Sequence, residues 1–176
     1  ITEYDARRLN RFSSLIDWGA LSIRYEVTLY PALVSKFSNH PWDWEKLSSH
    51  PRFELTKEFI LENGTKPWDY HALSSHSFFK VDKDVLLQLQ DKDWDYNFLS
   101  KASWIDNDTL LTLSDKQWNW QLLSSSKYLI FDLNLLRVFV QQADSNWSSI
   151  LNSDSIHITH DSIKLLVSNN VLNNEL

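Results

Sequence analysis

The stretch Trp42-Asp43-Trp44-Glu45-Lys46-Leu47-Ser48 decides the fold of this chain, because it returns along the sequence at regular intervals. Strong copies read W-D-Y-H-A-L-S at residues 68–74, W-D-Y-N-F-L-S at 94–100 and W-N-W-Q-L-L-S at 118–124; weaker copies occupy 16–22 and 145–151. We call these seven positions the motif. Its copies begin at residues 16, 42, 68, 94, 118 and 145. A period in this range indicates stacked supersecondary units.

The second motif position predicts the start of a short helix. Asp and Asn are strong N-caps because their side-chain oxygens accept hydrogen bonds from free backbone N–H groups. The residues at this position are Asp17, Asp43, Asp69, Asp95, Asn119 and Asn146. Apolar residues before the cap and four residues after it form a hydrophobic staple. We therefore expect Trp42 to contact Leu47 and Trp68 to contact Leu73.

A second helix start follows each motif. The predicted caps are Thr28, Thr56, Asp82, Asp106, Asp132 and Thr159. Apolar residues then recur at helical spacing, and Asn63-Gly64 predicts the C-terminal stop of one of these helices. Before most of these caps an apolar residue alternates with a variable one, as at Phe53 and Leu55. Such segments predict isolated bridges between neighbouring repeats, too short for a sheet.

These patterns predict an all-α fold, an α-solenoid of about six helix-turn-helix repeats of ~26 residues each. Residues 1–15 are expected to hold the second helix of a preceding half-repeat, with Thr2 as its cap. Residues 16–167 are expected to hold the six tandem repeats, and residues 168–176 a polar tail or boundary. The chain lacks Met and starts within the pattern, which indicates a segment of a longer protein.

Composition narrows the possible functions. The 176 residues include 43% hydrophobic ones, so the chain is expected to fold. No apolar run approaches the roughly 18 residues that a membrane span needs, and we expect a cytoplasmic, non-membrane protein. The absence of Cys excludes disulfides and thiolate metal sites. Two Gly leave no glycine-rich phosphate loop, and a net charge of −6 does not suit binding to a phosphate backbone.

The W-D-W-x-x-L-S unit, preceded by Pro41 or Pro67, resembles the tandem repeats in many uncharacterised proteins of giant viruses and some bacteria. The resemblance covers residues 16–152, and the copies at residues 16 and 145 depart most from the pattern. It implies a helical repeat architecture and adds no activity or catalytic residue.

Three patterns could carry chemistry, and each has a structural interpretation that we favour. The repeated Asp could form a ladder of carboxylates, but Asn at two equivalent positions favours capping, since Asn cannot act as an acid or base. His71 and His76, or His157 and His160, could bind a metal, but no Cys or H-E-x-x-H arrangement supports them. The Ser-Ser pairs that follow the motifs are most simply loop and helix-end residues. We therefore predict no catalytic residue, metal or cofactor.

Function is expected to lie in binding. We predict a non-catalytic segment for protein–protein interaction or scaffolding within a larger protein, with a protein partner and without a small-molecule substrate. The alternative is a nucleic-acid-contacting accessory module of a larger enzyme, because helical-repeat RNA binders stack bases on recurring aromatic side chains. The aromatic residues here recur at positions expected in the core, and the negative charge also favours a protein partner.

The variable positions of the repeat indicate where a partner would bind. The fifth motif position turns apolar at Phe98 and Leu122. The position two before the second cap turns apolar at Trp104 and Ile130, in the same two repeats. Exposed apolar patches mark interaction sites, so we predict that these four residues bind a partner. For Trp104 an equal alternative is that it fills space in the core, because Ser103 stands where other repeats carry Phe53 or Phe79.

Overall fold

The computed structural model describes residues 10–174, and this part of the chain is all-α. Six helices begin within motif copies: α1 (Trp18–Ser22), α3 (Trp44–Ser48), α5 (Tyr70–Leu73), α7 (Tyr96–Leu99), α9 (Trp120–Leu123) and α11 (Trp147–Leu151). Six more alternate with them: α2 (Pro31–Lys36), α4 (Lys57–Glu62), α6 (Lys83–Gln88), α8 (Asn107–Thr112), α10 (Leu133–Phe139) and α12 (His160–Ser168). A final helix, α13 (Val171–Asn174), packs against α12.

The chain forms two compact units, unit 1 up to Trp94 and unit 2 from Asp95 onward. Within unit 1, α1 contacts α3, α3 contacts α5, and α4 contacts α6. Within unit 2, α8 contacts α10 and α10 contacts α12. In each of these pairs a helix packs against the equivalent helix of the next repeat. The solenoid arrangement of the whole chain stays a prediction.

The predicted N-caps are confirmed at eleven of twelve positions. In every motif the Asp or Asn side chain accepts a hydrogen bond from the backbone N–H three residues later. Thr56, Asp82, Asp106, Asp132 and Thr159 do the same for the second helices. The predicted stop at Asn63 is confirmed as the C-cap of α4.

The prediction of Thr28 as a cap is wrong. Helix α2 begins at Pro31, with Tyr30 as an N-cap whose side chain makes no capping hydrogen bond. Proline fixes φ at a helical value and lacks the N–H that would need a cap, so it suits the first helical position. It also disfavours helical backbone in the residue before it. Pro31 therefore moves the helix start downstream of Thr28.

Isolated bridges form at the predicted extended segments around Phe53, Phe131 and Ile156. Leu29 pairs with Phe53 in unit 1, and Phe131 pairs with Ile156 in unit 2, both in parallel orientation. Leu29 is not one of the alternating positions of its repeat, Tyr25 and Val27, which lie in a turn and a bend. Between residues 10 and 174 these are the only bridges, and no strand is formed.

Residues 1–9, including the predicted cap Thr2, lie outside the described residues, and a 3-10 turn follows at Ser13–Leu15. At the other end, Asn169 caps α12 and Asn170 adopts a left-handed conformation with φ of 58°. Asn tolerates this conformation at helix ends, and it reverses the chain so that Val171 is buried.

Candidate functional site

The motif aspartates are structural caps. The capping hydrogen bonds from backbone N–H groups to the Asp17, Asp43, Asp69, Asp95, Asn119 and Asn146 side chains measure 2.8–3.1 Å. Asn119 and Asn146 make the same contact as the aspartates, so the interaction needs an acceptor oxygen and not a charge. The capping interpretation of this ladder is therefore confirmed.

The last motif residue links one repeat to the next, a role that the sequence analysis missed. Ser48 Oγ donates to Trp44 O at 2.8 Å inside its own helix and accepts from the backbone N–H of Asp69 at 2.9 Å. Ser22, Ser100 and Ser124 make the same pair of bonds, to Asp43, Asn119 and Asn146 respectively. We call this arrangement the serine relay. These serines are buried helix-end residues, not loop residues.

The motif aromatics form a second link between repeats. The ring at the third motif position packs edge-on against the first-position Trp of the next repeat, with centroids 4.9 Å apart. The pairs are Trp18–Trp42, Trp44–Trp68, Tyr70–Trp94 and Tyr96–Trp118. Each first-position indole N–H also donates to the backbone carbonyl five residues earlier. We call this the aromatic relay. It confirms that Trp68 and Trp94 are buried, at 7% and 3% exposure.

Basic side chains cover part of the aromatic relay in unit 1. The residue two before the first-position Trp lies over the third-position ring of the preceding repeat: His40 stacks on Trp18 at 4.4 Å, and Lys66 lies 5.3 Å above Trp44. Lys92 lies 6.0 Å above Tyr70. The two lysine contacts stabilise a cation over an aromatic face. The aromatic surfaces are thereby covered as well as buried.

The hydroxyl of Tyr70 fixes this ring of the aromatic relay by a hydrogen bond. It donates to the carbonyl of Gly64 at 3.0 Å. Burial, together with the negative charge of Asp91, raises the pKa of Tyr70 to about 12. The phenol therefore stays protonated and remains a hydrogen-bond donor at any physiological pH.

The start of the second helix differs between the two units. In unit 1 the Lys57 ammonium donates to Asp82 at 2.8 Å and to Asp84 at 3.1 Å, which raises the pKa of Lys57. In unit 2 the equivalent residue is Asn107. Its amide donates to the carbonyl of Ile130 at 2.6 Å, and its carbonyl accepts from the Ile130 N–H at 3.0 Å. The same position thus links repeats through an ion pair in unit 1. In unit 2 it links them through hydrogen bonds between a side-chain amide and the backbone.

Two buried histidines make a further link in unit 1. His50 Nδ1 accepts from the backbone N–H of Arg52 at 3.2 Å, so the ring proton is on Nε2, which donates to the carbonyl of Arg24 at 3.2 Å. His76 Nδ1 accepts from the N–H groups of Phe78 and Phe79, and its Nε2 donates to the carbonyl of His50. Burial lowers the pKa of both rings. Both rings are held neutral, in the tautomer that carries the proton on Nε2.

The two histidine pairs considered as metal ligands have different surroundings. His76 is buried in the link just described, whereas His71 is exposed. His157 and His160 are both exposed in unit 2. In residues 10–174 no group of three or more His, Cys, Asp or Glu side chains is arranged to hold a metal ion.

Phe98 and Leu122 lie on the surface of unit 2. Each is 39% exposed, on α7 and α9, the consecutive motif helices of that unit. The same two helices are joined by a hydrogen bond of 2.8 Å from Asn119 Nδ2 to Asn97 Oδ1. Lys101 lies 5.3 Å above the Phe98 ring. At the fifth motif position of unit 1, Lys46 is exposed and Ala72 is half-buried, so only unit 2 presents large apolar groups there.

Ile130 lies at a second place on unit 2. It is 49% exposed and lines a cavity of about 330 Å³ with Tyr128, His157, Asn107 and three carboxylates. Those carboxylates belong to Asp106, Asp108 and Asp132. Phe98, Leu122 and Trp104 do not line it. Trp104 is half-buried, which is intermediate between an exposed partner-binding residue and a residue that fills the core. The four predicted residues therefore do not form one cluster around this cavity.

Tyr128 is an exposed aromatic residue that the sequence analysis missed. It is 51% exposed on the wall of the same cavity, with the Lys127 ammonium 5.2 Å from its ring. Variation between repeats could have identified it, because the position four before the second cap varies as much as the fifth motif position does. The residues there are Arg24, Arg52, Phe78, Ala102, Tyr128 and Ser155.

Two other cavities in unit 2 are lined mainly by polar groups. The larger, about 720 Å³, lies between the turn at Ser114–Trp118 and the end of α10, and its lining includes Lys116, Arg137, Asp115 and Asp144. The smaller, about 410 Å³, is lined mostly by serines, with Lys127, Asn152 and Asp154. The smaller lining has no large apolar side chain, whereas the larger one adds Trp118, Trp120 and Val138 to its polar groups. Apolar side chains dominate small-molecule sites, and neither lining is of that kind.

Comparison of this chain with protein-family models, with curated proteins and with solved structures gave no match. The resemblance of the motif to giant-virus and bacterial repeats stays a prediction. Over residues 10–174 none of the helices has both the length and the apolar content to cross a bilayer.

Proposed function

We propose that this chain is a non-catalytic repeat segment, an α-solenoid, that binds a protein partner through exposed apolar side chains of unit 2. The repeat-to-repeat hydrogen bonds of the serine relay support the solenoid, because they connect each repeat mainly to its neighbour. In such an array the constant positions build the core, and the variable positions are free to meet a partner.

The observation that carries this proposal is the exposure of Phe98 and Leu122. Both are large apolar residues on α7 and α9, and both keep more than a third of their surface in contact with solvent. Exposing them has no structural benefit, since the equivalent positions accept Lys46 or Ala72. Exposed apolar groups that recur on neighbouring elements mark interaction sites.

Charge indicates the chemistry of the partner. From Asp95 onward the sequence carries five Lys and Arg against nine Asp and Glu, a net charge of −4. Around Ile130 and Tyr128 the cavity wall carries three carboxylates beside the apolar groups. Complementary charge favours encounter with the right partner. The partner is therefore a peptide segment that combines apolar side chains with Lys or Arg.

The aromatic residues disfavour the nucleic-acid alternative. Base stacking needs aromatic faces that are open to solvent, but the first-position indoles Trp42, Trp68, Trp94 and Trp118 are buried. The net charge of −6 opposes phosphate binding as well.

The test is selection of displayed random peptides on the full chain, followed by affinity measurement on synthetic peptides. Selected peptides should combine apolar and basic residues. Phe98→Ser with Leu122→Ser should weaken binding by about tenfold or more, equivalent to about 1.4 kcal/mol. The melting temperature should hardly change, because both side chains are partly exposed.

Phe78→Ser is the matched control, since Phe78 is an aromatic residue of unit 1 that is 52% exposed. It should bind the selected peptides like the parent. Equal affinity of the double variant and the parent would contradict the proposal. Salt-sensitive binding of generic RNA without peptide binding would favour the nucleic-acid alternative.

A further inference from the structure

We propose that His50 and His76 form an acid-sensitive switch in unit 1: protonation of either imidazole breaks a link between consecutive repeats and loosens this unit, while unit 2 is unaffected. The inference concerns the conformational response of the chain and is independent of the proposed partner binding.

The geometry leaves no place for a second proton on either ring. Nδ1 of His50 faces the Arg52 N–H, and Nδ1 of His76 faces the N–H groups of Phe78 and Phe79, all at 3.2 Å. A protonated Nδ1 would be a donor pointing at donors. Those backbone N–H groups would lose their acceptor, and a buried polar group without a partner destabilises the folded state.

Each ring also bridges two repeats. His50 Nε2 reaches the carbonyl of Arg24, 26 residues earlier, and His76 Nε2 reaches the carbonyl of His50, again 26 residues earlier. The three segments that contain Arg24, His50 and His76 are thus joined in series through two imidazoles. Moving either ring out to solvent to accommodate a charge breaks the bond to the preceding repeat.

Nearby charges do not compensate a protonated ring. The titratable groups on the three segments are Arg24, Tyr25, Glu26, Arg52, Glu54 and Lys80. The Tyr25 ring lies edge-on to His50 at 5.5 Å, and the Arg52 guanidinium donates to the carbonyl of Glu26 at 3.0 Å. Burial first, and then the charges of His50 and Lys80, lower the pKa of His76. Across the described part of the chain, neither imidazole is hydrogen-bonded to a carboxylate.

Unit 2 contains the matched control within the same fold. The residue equivalent to His50 and His76, eight after the motif start, is Ala102, Ser126 or Ser153. Ser126 Oγ accepts from the N–H of Tyr128 at 3.3 Å, and Ser153 Oγ accepts from the N–H of Ser155 at 3.2 Å. A hydroxyl therefore accepts the same N–H, two residues later, that the imidazoles accept in unit 1. Unlike an imidazole, it does not titrate near neutral pH.

The sign of the pH effect follows from linkage. In the unfolded chain both rings titrate near the ordinary histidine pKa of about 6.5. In the folded chain burial lowers the pKa of both. The stabilisation from the neutral rings is complete above the unfolded value and is lost as pH falls through the folded values. Each proton taken up on opening raises the opening equilibrium constant by up to about tenfold per pH unit.

The experiment is amide hydrogen exchange on the full chain at pH 7.5 and pH 5.5, corrected for intrinsic exchange rates, with ring titration followed by NMR. At the lower pH the amides of Arg52, Phe78 and Phe79 should lose protection by tenfold or more. The amides of Tyr128 and Ser155 should not change. The rings of His50 and His76 should titrate below free histidine.

His50→Ser with His76→Ser introduces the hydroxyl that Ser126 carries at the equivalent position, and it should abolish the pH response of unit 1. His157→Ser, the same change at an exposed ring, should leave it intact. A pH response retained in the double variant would overturn the proposal, as would ring titration at or above the value of free histidine. If the double variant does not fold, ring titration in the parent decides between the two outcomes.

Discussion

Units 1 and 2 share their links between repeats and differ in what they place around them. Both use an aromatic pair at 4.9 Å and a buried serine to join neighbouring repeats. In unit 1 the position eight after the motif start is His50 or His76; in unit 2 it is Ala102, Ser126 or Ser153. The shared architecture therefore carries an imidazole at this position in unit 1, and in unit 2 an alanine or a serine hydroxyl, which does not titrate near neutral pH.

The surfaces of the two units differ in the same way. At the fifth motif position unit 1 carries Lys46 and Ala72, whereas unit 2 exposes Phe98 and Leu122. The comparison shows that the motif residues make the shared packing contacts, while residues outside its constant positions differ between the units. Function is consequently expected at variable positions, where substitutions leave the fold unchanged.

The shared aromatic relay gives the largest expected effect. Trp68→Ala in unit 1 and Trp118→Ala in unit 2 should each lower the free energy of unfolding by about 3–5 kcal/mol, the range for deleting a buried large aromatic residue. Urea denaturation measures both. If one variant were close to neutral, the two units would not share this link.

Trp104→Ala is the comparison for these variants, because Trp104 is half-buried and lies outside the motif. It should cost clearly less than Trp68→Ala. An equal cost would favour the alternative in which Trp104 fills space in the core of unit 2.

The serine relay gives the next largest effect. Ser48→Ala and Ser100→Ala should each cost about 1–3 kcal/mol, because the N–H of Asp69 or of Asn119 loses its acceptor inside the protein. Ser49→Ala is the control, since Ser49 is exposed and follows the relay residue directly. Thermal unfolding should distinguish them. An equal loss of stability in Ser49→Ala and Ser48→Ala would show that the serine relay does not stabilise the chain.

The caps give the smallest effect and compare the units directly. Asp69→Asn should be nearly neutral, because Asn119 makes the same contact in unit 2, while Asp69→Ala should cost about 1 kcal/mol. Both changes are measured by thermal unfolding. A large loss of stability in Asp69→Asn would show that the charge matters in unit 1 and not in unit 2.

Local chemistry explains which structural predictions from the sequence were confirmed. Caps and helix starts depend on residues within one repeat, so the sequence pattern is sufficient to predict them. The core position of the first-position Trp residues was predicted from their recurrence, and Trp68 and Trp94 are buried. The prediction of Thr28 as a cap was wrong because Pro31, three residues later, controls where α2 begins. A preference for capping is weaker than the fixed φ of proline.

The links between repeats could not be predicted in the same way. Ser48 and its partner Asp69 are 21 residues apart, and His50 and its partner Arg24 are 26 apart. No local rule assigns a bond across that distance. The constancy of Ser at the seventh motif position was visible in the sequence, but its buried contact depends on how neighbouring helices pack. Exposure of Phe98 and Leu122 was correctly anticipated, because variation between repeats is itself a signal of the surface.

The central claim, that unit 2 carries the binding surface, is tested most directly by NMR mapping of a selected apolar and basic peptide on the full chain. The account predicts that the largest chemical-shift changes fall on α7 and α9, at the amides of Phe98 and Leu122, with unit 1 unchanged. Changes centred on α3 and α5, around Lys46 and Ala72, would contradict it.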